Sequence, residues 1–275
     1  MYTLKKSLGQ HFLWDENISK KIVAALVGSA GGAGEALAGG VHEALAGGKV
    51  EALPFARLLE VGPGGGALTK YLLGLKDVDF KAVELDEEKI DYLLTTWPAL
   101  QGKILPGSIL ELEKPFEDKF TVIGNFPYNI STQILFKMLD WRTDLLTMIG
   151  MFQKEVALRV AAREGSKTYG VLSVLIQAFF RVEYLFEVQE TSFVPPPKVK
   201  SAVIRLTPCA PPAFRDEASF FLLVKTAFNQ RRKTLRNAVR SLFGAEMLRD
   251  PLFDRRAEQL TISDFAALTW KMTHQ

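Results

Sequence analysis

Apolar and polar positions along residues 57–163 alternate in blocks that predict strands followed by helices. Short, nearly continuous apolar runs predict strands RLLEV, FKAVEL, KIL, FTVIG and LLTMIGMF, at residues 57–61, 80–85, 103–105, 120–124 and 145–152. Predicted helices begin near residue 67, pass through residues 90 and 94, and cover 131–139 and 154–163. We therefore predict an α/β fold with a doubly wound, mostly parallel sheet and helices on both of its faces.

The two ends of the chain depart from this rhythm. Near the start, Asp15 predicts the cap of a short helix whose apolar face is Ile18, Ile22 and Leu26. After residue 170, the segments YLFEVQ and SAVIRLTP predict a terminal antiparallel pair of strands around the stiff segment FVPPPKV. From about Phe214 the pattern is helical throughout. We therefore predict an α/β domain at residues 1–210 and a small all-helical domain at residues 211–275.

Residues 28–53 fit neither pattern. The unit EALAGG occurs at residues 35–40 and again at 43–48, and a partial copy begins at residue 51. So few copies of so short a unit do not make a repeat fold. We interpret the segment as a flexible low-complexity insertion in the first domain, with weakly helical pieces.

Composition narrows the function classes only slightly. The 275 residues are 48% hydrophobic, and a net charge of +3 with a pI near 8.8 weakly favours a polyanionic partner. The single cysteine, Cys209, excludes an internal disulfide framework and a cysteine-clustered zinc site. No stretch has the length of a membrane span and the first residues lack the apolar run of a signal peptide, so we expect a cytoplasmic protein.

The segment EVGPGGGALT contains the first candidate site. Gly62, Gly64 and Gly66 come directly after a predicted strand and before a predicted helix, where the backbone turns tightly and approaches a ligand closely. Glu84 ends the next predicted strand, where a carboxylate can accept both hydroxyls of a ribose. The loop is not a P-loop, since no Gly-Lys-Ser/Thr follows. The spacing leaves a nicotinamide dinucleotide and S-adenosylmethionine (SAM) both open, although no histidine constellation for hydride transfer is visible.

The segment NFPY follows the strand FTVIG, and its groups suit methylation of an exocyclic amine. The N6 lone pair of adenine is delocalised into the ring, so two acceptors aimed at the amine hydrogens would favour a more tetrahedral nitrogen. The side-chain oxygen of Asn125 and the carbonyl of Phe126 or Pro127 can supply them, and proline stiffens the loop without offering an N–H. Tyr128 can stack on a flipped base. The alternative is a turn that merely ends a strand, but the glycine loop and Glu84 favour a methylase.

A third candidate site is basic. The segment NQRRKTLRNAVR, residues 229–240, carries five cations and no acid, which favours contacts to phosphates over a merely solvated face. We predict one helix here, with an opposing apolar stripe of Leu235, Val239 and Leu242 and with arginines four residues apart on one face. The predicted RNA-binding residues are Arg231, Arg232, Lys233, Arg236 and Arg240.

Together these segments resemble the ribosomal RNA adenine N6-dimethyltransferase family, and within it the small-subunit branch. The resemblance covers the chain except for the insertion at 28–53. The erythromycin-resistance methylases of large-subunit rRNA share the first half, whereas FVPPPKV and FNQRRKTLRN resemble the small-subunit enzymes. The matching segments are KKSLGQHFL, LLEVGPGGGALT, VELD, GNFPYNIS, MFQKEVALRVAAREGSKTYGVLSVLIQAFF, SFVPPPKVKSAVIRL, FNQRRKTLRNAV and RRAEQLTISDFAAL.

The resemblance implies a Rossmann-like SAM-dependent methyltransferase with a helical RNA-binding domain. SAM is then the methyl donor and S-adenosylhomocysteine the product. His11 and Leu13 match the N-terminal segment that closes over SAM in the family. Gly62 and Gly64 match its glycine loop, and Glu84 matches the acid that binds the ribose.

The resemblance also assigns roles around the catalytic segment. Asn125 matches the residue that contacts both cofactor and target amine, Pro127 belongs to the same motif, and Tyr128 matches the stacking aromatic. Two positions differ from the family. Ser108 replaces the usual aspartate that holds the adenine amine of SAM, and Phe126 replaces the commoner leucine at a position valued for its backbone.

The function implied is dimethylation of two adjacent adenosines near the 3′ end of small-subunit rRNA, in a late assembly particle. We expect direct in-line displacement at sulfur by a monomer, without a covalent intermediate, a metal or a strong general base. One rival is a DNA adenine or protein glutamine methylase, which uses a motif like Asn-Pro-Pro-Tyr. Another is an RNA-binding assembly or transcription factor with little activity, a reading that Ser108 keeps open.

Overall fold

The computed structural model describes residues 11–26 and 53–273. The predicted insertion at 28–53 lies outside these ranges except for Leu53, so its flexibility stays a prediction. Contacts divide the chain into two compact units, one of Met1–Ala157 with Glu183–Pro208 and the other of Leu158–Val182 with Cys209–Gln275. The predicted boundary at residue 210 is close to the Pro208/Cys209 division, but Leu158–Val182, which we predicted in the first domain, groups with the second unit.

A seven-stranded sheet dominates the first unit, in the order β4-β3-β2-β5-β6-β9-β7. The pairs β2–β3, β2–β5, β3–β4 and β5–β6 are parallel, and β6–β9 is antiparallel. The doubly wound, mostly parallel sheet predicted from the sequence is therefore confirmed. The strands are β1 (Phe12–Leu13), β2 (Arg57–Val61), β3 (Asp79–Glu84), β4 (Ile104–Pro106), β5 (Phe120–Asn125), β6 (Leu145–Gln153), β7 (Phe180–Val188), β8 (Phe193–Val194) and β9 (Ser201–Pro208).

The central strands are mostly apolar because they are buried on both faces. Every residue of β5 from Phe120 to Gly124 is buried, as are Leu58 to Val61 of β2. This continuous burial is typical of parallel strands that helices cover from both sides. It explains why the sequence shows unbroken apolar runs instead of alternation.

The helices that follow β2, β3, β5 and β6 lie near their predicted positions. The helices are α1 (Glu16–Ala24), α2 (Thr69–Leu72), α3 (Glu87–Thr96), α4 (Ser131–Asp140), α5 (Lys154–Val160), α6 (Val171–Gln177), α7 (Glu217–Asn229), α8 (Leu235–Ala238) and α9 (Ile262–Thr269). Asp15 caps α1 as predicted, since its Oδ1 accepts the N–H groups of Asn17 and Ile18 at 3.0 and 3.3 Å. Ile22 and Leu26 of its predicted apolar face are buried.

A small two-stranded ribbon joins the start of the chain to the proline-rich segment. β1 pairs antiparallel with β8, with Phe12 opposite Val194 and Leu13 opposite Phe193. The backbone N–H of Trp14 continues the pairing by donating to the carbonyl of Ser192 at 3.1 Å. The ribbon holds the N-terminal segment in place through residues about 180 positions further along the chain.

The second unit is helical around an aromatic core, which agrees with the predicted helical C-terminal region. Phe220, Phe253 and Phe265 are fully buried. Asp216 caps α7 by accepting the N–H of Ser219 at 2.7 Å, and Thr261 caps α9. Short 3-10 turns connect the helices of this C-terminal region, at Arg240–Leu242, Met247–Arg249, Pro251–Asp254 and Ala257–Gln259.

The described residues contain neither a helix that could span a membrane nor a cluster of side chains that could hold a metal. In residues 11–26 and 53–273, no helix has both the length and the apolar character needed to cross a bilayer. The same residues contain no cluster of three or more histidine, cysteine or acidic side chains that could hold a metal ion.

Candidate active site

The carboxyl ends of β2, β3, β4 and β5 meet at one edge of the sheet and line a cavity. Strand β2 pairs with β3 on one side and with β5 on the other, so the order of the sheet reverses between β2 and β5. Doubly wound folds bind their ligands at such a switch point. The predicted residues that line this one cavity are His11, Leu13, Gly62, Gly64, Glu84, Ser108, Asn125, Pro127 and Tyr128.

Backbone conformation shapes the glycine loop after β2. Gly62, Gly64 and Gly66 have φ angles of +66°, +56° and +78°, in the left-handed region that other residues rarely adopt. A Cβ at Gly66 would lie 2.2 Å from the ring of Trp97, so this glycine is also needed for packing. A Cβ at Gly62 would lie 3.9 Å from Cδ of Pro127, which shows that this loop lies beside the loop after β5.

The carboxylate of Glu84 ties the glycine loop to the end of β3. Its Oε2 accepts the N–H of Gly64 at 3.1 Å, and its Oε1 accepts the N–H groups of Leu85 and Asp86 at 3.0 Å each. An ionised carboxylate accepts about four hydrogen bonds. In this arrangement Glu84 has one place left, so it can bind one ribose hydroxyl, and a second only if Gly64 shares Oε2.

Ser108 lies at the cavity in a turn that its own backbone and hydroxyl stabilise. Its Oγ accepts the N–H of Leu110 at 3.2 Å, and its carbonyl accepts the N–H groups of Glu111 and Leu112 at 3.1 Å each. Gly107 before it has φ +130°, and its N–H donates to the carbonyl of Glu84. The serine thus replaces the acid expected here with a neutral hydroxyl that already has one partner.

The loop after β5 presents two unengaged acceptors. Among the residues that the structure describes, we see no hydrogen bond to the Asn125 side chain or to the Phe126 carbonyl. The carbonyl of Pro127, in contrast, accepts from the N–H of Ile130 at 3.3 Å and from the Ser131 hydroxyl at 3.2 Å. The sequence offered the carbonyl of either Phe126 or Pro127 as the second acceptor, and the contacts favour that of Phe126.

The side chain of Phe126 is as important to this loop as its backbone. The ring is 1% exposed and lies 5.0 Å from the ring of Phe152. A Cβ at Gly124 would lie 2.6 Å from this ring, and one at Gly150 would lie 2.3 Å from it. The view that this position matters only through its backbone is incomplete, because the two glycines make space for the ring.

Tyr128 is held at the cavity by the side chains of Ser201 and His11. Its hydroxyl lies 2.5 Å from Oγ of Ser201, and its ring centroid lies 5.8 Å from that of His11. His11 in turn shares a hydrogen bond of 2.8 Å between Nδ1 and the carbonyl of Pro195. Burial raises the pKa of the Tyr128 hydroxyl, so the side chain is neutral at physiological pH.

Ser131 begins the next helix, as predicted, and also holds the loop before it. It is the first residue of α4, and its hydroxyl donates to the carbonyls of Pro127 and Tyr128. It therefore fastens the loop instead of accepting a helix N–H.

Glu60 is a buried acid in the lining of the cavity and is not among the predicted site residues. It is 1% exposed, and burial raises the pKa of its carboxyl to about 8, with the nearby Glu84 adding to the shift. The Thr69 hydroxyl donates to its Oε2 at 2.7 Å. The signal in the sequence is the one acidic residue inside the apolar run LLEV.

The predicted basic helix at 229–240 is wrong. Helix α7 ends at Asn229, and α8 begins only at Leu235, because Thr234 is extended with φ −64° and ψ 155°. The N–H of Leu235 donates to the carbonyl of Arg255 at 2.7 Å, which is a tertiary bond instead of a helical one. The arginines at four-residue spacing are therefore not on one continuous helix.

The basic residues also differ in how they are used. Arg236 donates to the carbonyl of Leu248 at 2.7 Å and pairs with Asp254 at 2.8 Å, so the structure supplies an acid that the segment lacks. Arg231 donates to the carbonyl of Lys167. The side chains of the other three cations are exposed and form no hydrogen bond or ion pair with the described residues. They stay available for phosphate: Arg232, Lys233 and Arg240.

Comparison with known proteins shows the family of the chain. The sequence profile described as "Ribosomal RNA adenine dimethylase" matches residues 1–270. The chain belongs to the ribosomal RNA adenine dimethylase family. This membership bears out the resemblance that we drew from the motifs.

Two relatives of the dimethylase family are similar over nearly their whole length. Both are called "Ribosomal RNA small subunit methyltransferase A". The protein from Cytophaga hutchinsonii is 47% identical over 96% of this chain and 95% of its own, and that from Flavobacterium johnsoniae is 46% identical over 98% and 95%.

Solved structures show the same fold. A dimethyladenosine transferase from Plasmodium falciparum has a TM-score of 0.69 at 23% identity, covering 93% of this chain and 94% of that one. The 23S rRNA methyltransferase ErmE has a TM-score of 0.65 at 20% identity, covering 95% and 99%. The Rossmann-like methyltransferase fold with a helical C-terminal region is therefore confirmed.

Proposed function

We propose that this dimethylase transfers methyl groups from SAM to the N6 amines of two adjacent adenosines near the 3′ end of 16S rRNA. The observation that carries the proposal is that one cavity brings the glycine loop and Glu84 beside Asn125 and Tyr128. A site for a ribose-containing methyl donor thus adjoins acceptors for an amine. Curated relatives named as small-subunit rRNA methyltransferases support rRNA as the substrate.

The described residues fit SAM at this site. The left-handed glycines leave open backbone where side chains would otherwise stand. Among the described residues, and apart from chain neighbours, the nearest atom would lie 3.9 Å from a Cβ added at Gly62 and 3.8 Å from one added at Gly64. Glu84 would hold a ribose hydroxyl, Ser108 the adenine amine, and His11 with Leu13 would cover the ligand. When bound, SAM supplies the electrophilic sulfonium methyl.

The loop after β5 would prepare the attacking nitrogen. The Asn125 side-chain oxygen and the Phe126 carbonyl accept the two N6 hydrogens, which directs the nitrogen lone pair away from the ring plane. These acceptors are part of a rigid loop, so little reorganisation is needed at the moment of transfer. The amine becomes acidic only as the new bond forms, so solvent suffices as the final proton acceptor.

Tyr128 would hold the target base by stacking. Enzymes that modify bases extrude them from the stack and bind them against aromatic side chains. The neutral Tyr128 ring lines the cavity next to Asn125, where a stacked adenine would bring its amine to the two acceptors. Positioning then accounts for most of the rate.

We propose that the enzyme acts as a cytoplasmic monomer on a late pre-30S particle. The exposed cations of the second unit would contact phosphates of the rRNA, since sequence-independent phosphate contacts position such proteins on their substrate.

Methylation assays test the proposed substrate. Particles of the 30S subunit that lack the modification, duplex DNA and free protein substrates are incubated with methyl-labelled SAM. We expect N6-dimethyladenosine in 16S rRNA at two adjacent positions. Label in DNA or in glutamine, but not in rRNA, would contradict the proposal.

A titration at Ser108 tests whether the cofactor site functions with a neutral residue. Calorimetry would compare SAM binding to the native protein and to the Ser108→Asp and Ser108→Asn variants. We expect measurable native binding and a Kd that is about tenfold lower for Ser108→Asp, since hydrogen bonds to charged groups are stronger. No native binding and no dimethyladenosine would favour the non-catalytic RNA-binding factor instead.

Replacing the exposed cations tests the RNA-binding role. A variant with alanine at Arg232, Lys233 and Arg240 should bind 30S particles more weakly and with a shallower salt dependence, by roughly 0.7 to 0.9 in the log–log slope per lost contact. Its melting temperature should not change. Arg236→Ala is the contrasting variant, because it removes contacts to Leu248 and Asp254 and should lower stability instead.

A further inference from the structure

The hydroxyl of Tyr128 has a single partner among the described residues, and that partner comes from a distant strand. Oγ of Ser201, the first residue of β9, lies 2.5 Å away, and either hydroxyl can be the donor. Ser201 is 0% exposed. A serine buried at this depth loses its contact with water, so its hydrogen bond to the tyrosine replaces that contact.

The register of the sheet determines where the Ser201 hydroxyl points. Ser201 stands opposite Gln153 at the end of the β6–β9 ladder, and Asn125 stands opposite Met151 on the other side of β6. The N–H of Lys154 donates to the carbonyl of Lys200 at 2.8 Å and closes the ladder there. A slip of one residue would turn Ser201 to the opposite face of the sheet.

The contacts of Tyr128 restrict different movements of its side chain. The Ser131 hydroxyl holds the backbone carbonyl of Tyr128 at 3.0 Å, and Ser201 holds the far end of the ring. A bond at the hydroxyl lies on the axis about which the ring turns, so it limits the swing of the side chain but not that rotation. The neighbouring His11 ring, at an angle of 31°, limits the rotation.

We propose that Ser201 is a positioning residue for methyl transfer, which holds Tyr128 where its face meets the target base. This inference rests on the proposed function, since it concerns the stacking role of Tyr128. Ser201 does not line the cavity and touches no reacting atom. It acts through the tyrosine hydroxyl, and the strand register transmits the geometry of the sheet to the base-binding ring.

Kinetics of two single variants and their combination test the proposal. Ser201→Ala and Tyr128→Phe each remove one end of the same hydrogen bond, and each should lower kcat about fivefold to tenfold. The KM for SAM should not change, because the cofactor side of the cavity is untouched. The double variant should be no slower than the slower single variant, since both changes break one interaction.

A matched control separates positioning from simple loss of a buried hydroxyl. Ser173 is also 0% exposed, and its Oγ donates to the carbonyl of Arg159 at 2.5 Å in the second unit. Ser173→Ala should lower the melting temperature without changing kcat. Thermal unfolding of all variants shows that each is folded under the assay conditions.

The outcomes distinguish this proposal from the proposed function. Suppose the native enzyme is active, but the Ser201→Ala variant keeps the native kcat or the effects of the two changes add in the double variant. Either result would overturn the role of Ser201 and leave the proposed function standing. A native protein without methylation of rRNA would overturn the proposed function and this inference with it. A fall in kcat that the double variant does not deepen would support Ser201.

Discussion

The loop after β2 and the loop after β5 lie beside each other at the switch point, but different groups hold them in shape. In the loop after β2 the backbone is decisive. Its three left-handed glycines set the turn, and the N–H of Gly64 donates to Glu84. Apart from the Glu84 carboxylate, the contribution we identify is the absence of a side chain, as at Gly66 beside Trp97.

In the loop after β5 the side chains are decisive. The buried ring of Phe126 packs in the space above Gly124 and Gly150, and the hydroxyls of Ser131 and Ser201 hold the loop from two directions. This difference predicts how each loop responds to a substitution. In the loop after β2, no residue smaller than glycine exists to relieve a clash. In the loop after β5, a second substitution can restore the packing that a first one disturbs.

The largest expected effect is steric and falls on the glycine loop. Gly66→Ala combines left-handed strain with a Cβ that would lie 2.2 Å from Trp97. We expect it to lower the free energy of unfolding by roughly 3 kcal/mol. Chemical denaturation measures this change.

A second glycine provides the control for that variant. Gly102 has a similar φ of +76° but nothing within 4 Å of an added Cβ, so Gly102→Ala should cost only about 1 kcal/mol, from backbone strain. Equal losses for the two variants would show that contact with Trp97 is unimportant.

The next effect concerns chemistry in the loop after β5. Asn125→Ala removes one acceptor for the amine, so we expect kcat to fall by about 100-fold or more, with the melting temperature nearly unchanged. Single-turnover methylation of 30S particles measures the rate. The control is Asn17→Ala on the exposed start of α1, and a native rate for Asn125→Ala would contradict the assigned role.

A smaller effect tests whether the loop after β5 can be repacked. The Cβ of Gly150→Ala would lie 2.3 Å from the Phe126 ring and should displace the loop, lowering kcat by about tenfold. Leucine is smaller than phenylalanine, so adding Phe126→Leu should restore part of the lost rate. A double variant slower than Gly150→Ala alone would show that the ring does not transmit the displacement.

A last effect is a pH dependence of stability at Glu60, next to the glycine loop. Because burial raises the pKa of Glu60 to about 8, the folded state keeps a proton that the unfolded state releases above pH 4.5. Stability from this group is therefore complete below pH 4.5 and declines as the pH rises toward 8. Glu60→Gln removes the titrating carboxyl, so the stability of this variant should vary less with pH across the window. Denaturation midpoints from pH 5 to 8 measure it, and parallel curves for both proteins would contradict the prediction.

The sequence by itself determined the features that depend on neighbours along the chain. The strands at 57–61 and 201–208 have the predicted bounds, because an apolar run between turn residues has few alternatives. The glycine loop, Glu84 and the NFPY segment were also recognisable, since each follows a strand end and the carboxyl ends of parallel strands share one edge of the sheet.

Only the tertiary structure decided the features that join distant residues. Tyr128 and Ser201 are 73 positions apart, and the pairing of β1 with β8 spans a still longer separation. The break between α7 and α8 likewise depends on Arg255, whose carbonyl takes the N–H that a continuous helix would have used. Local periodicity favoured a helix there, but the Leu235 N–H donates to a carbonyl from another part of the chain. Each backbone N–H is a single donor, so this bond takes the place of the helical one.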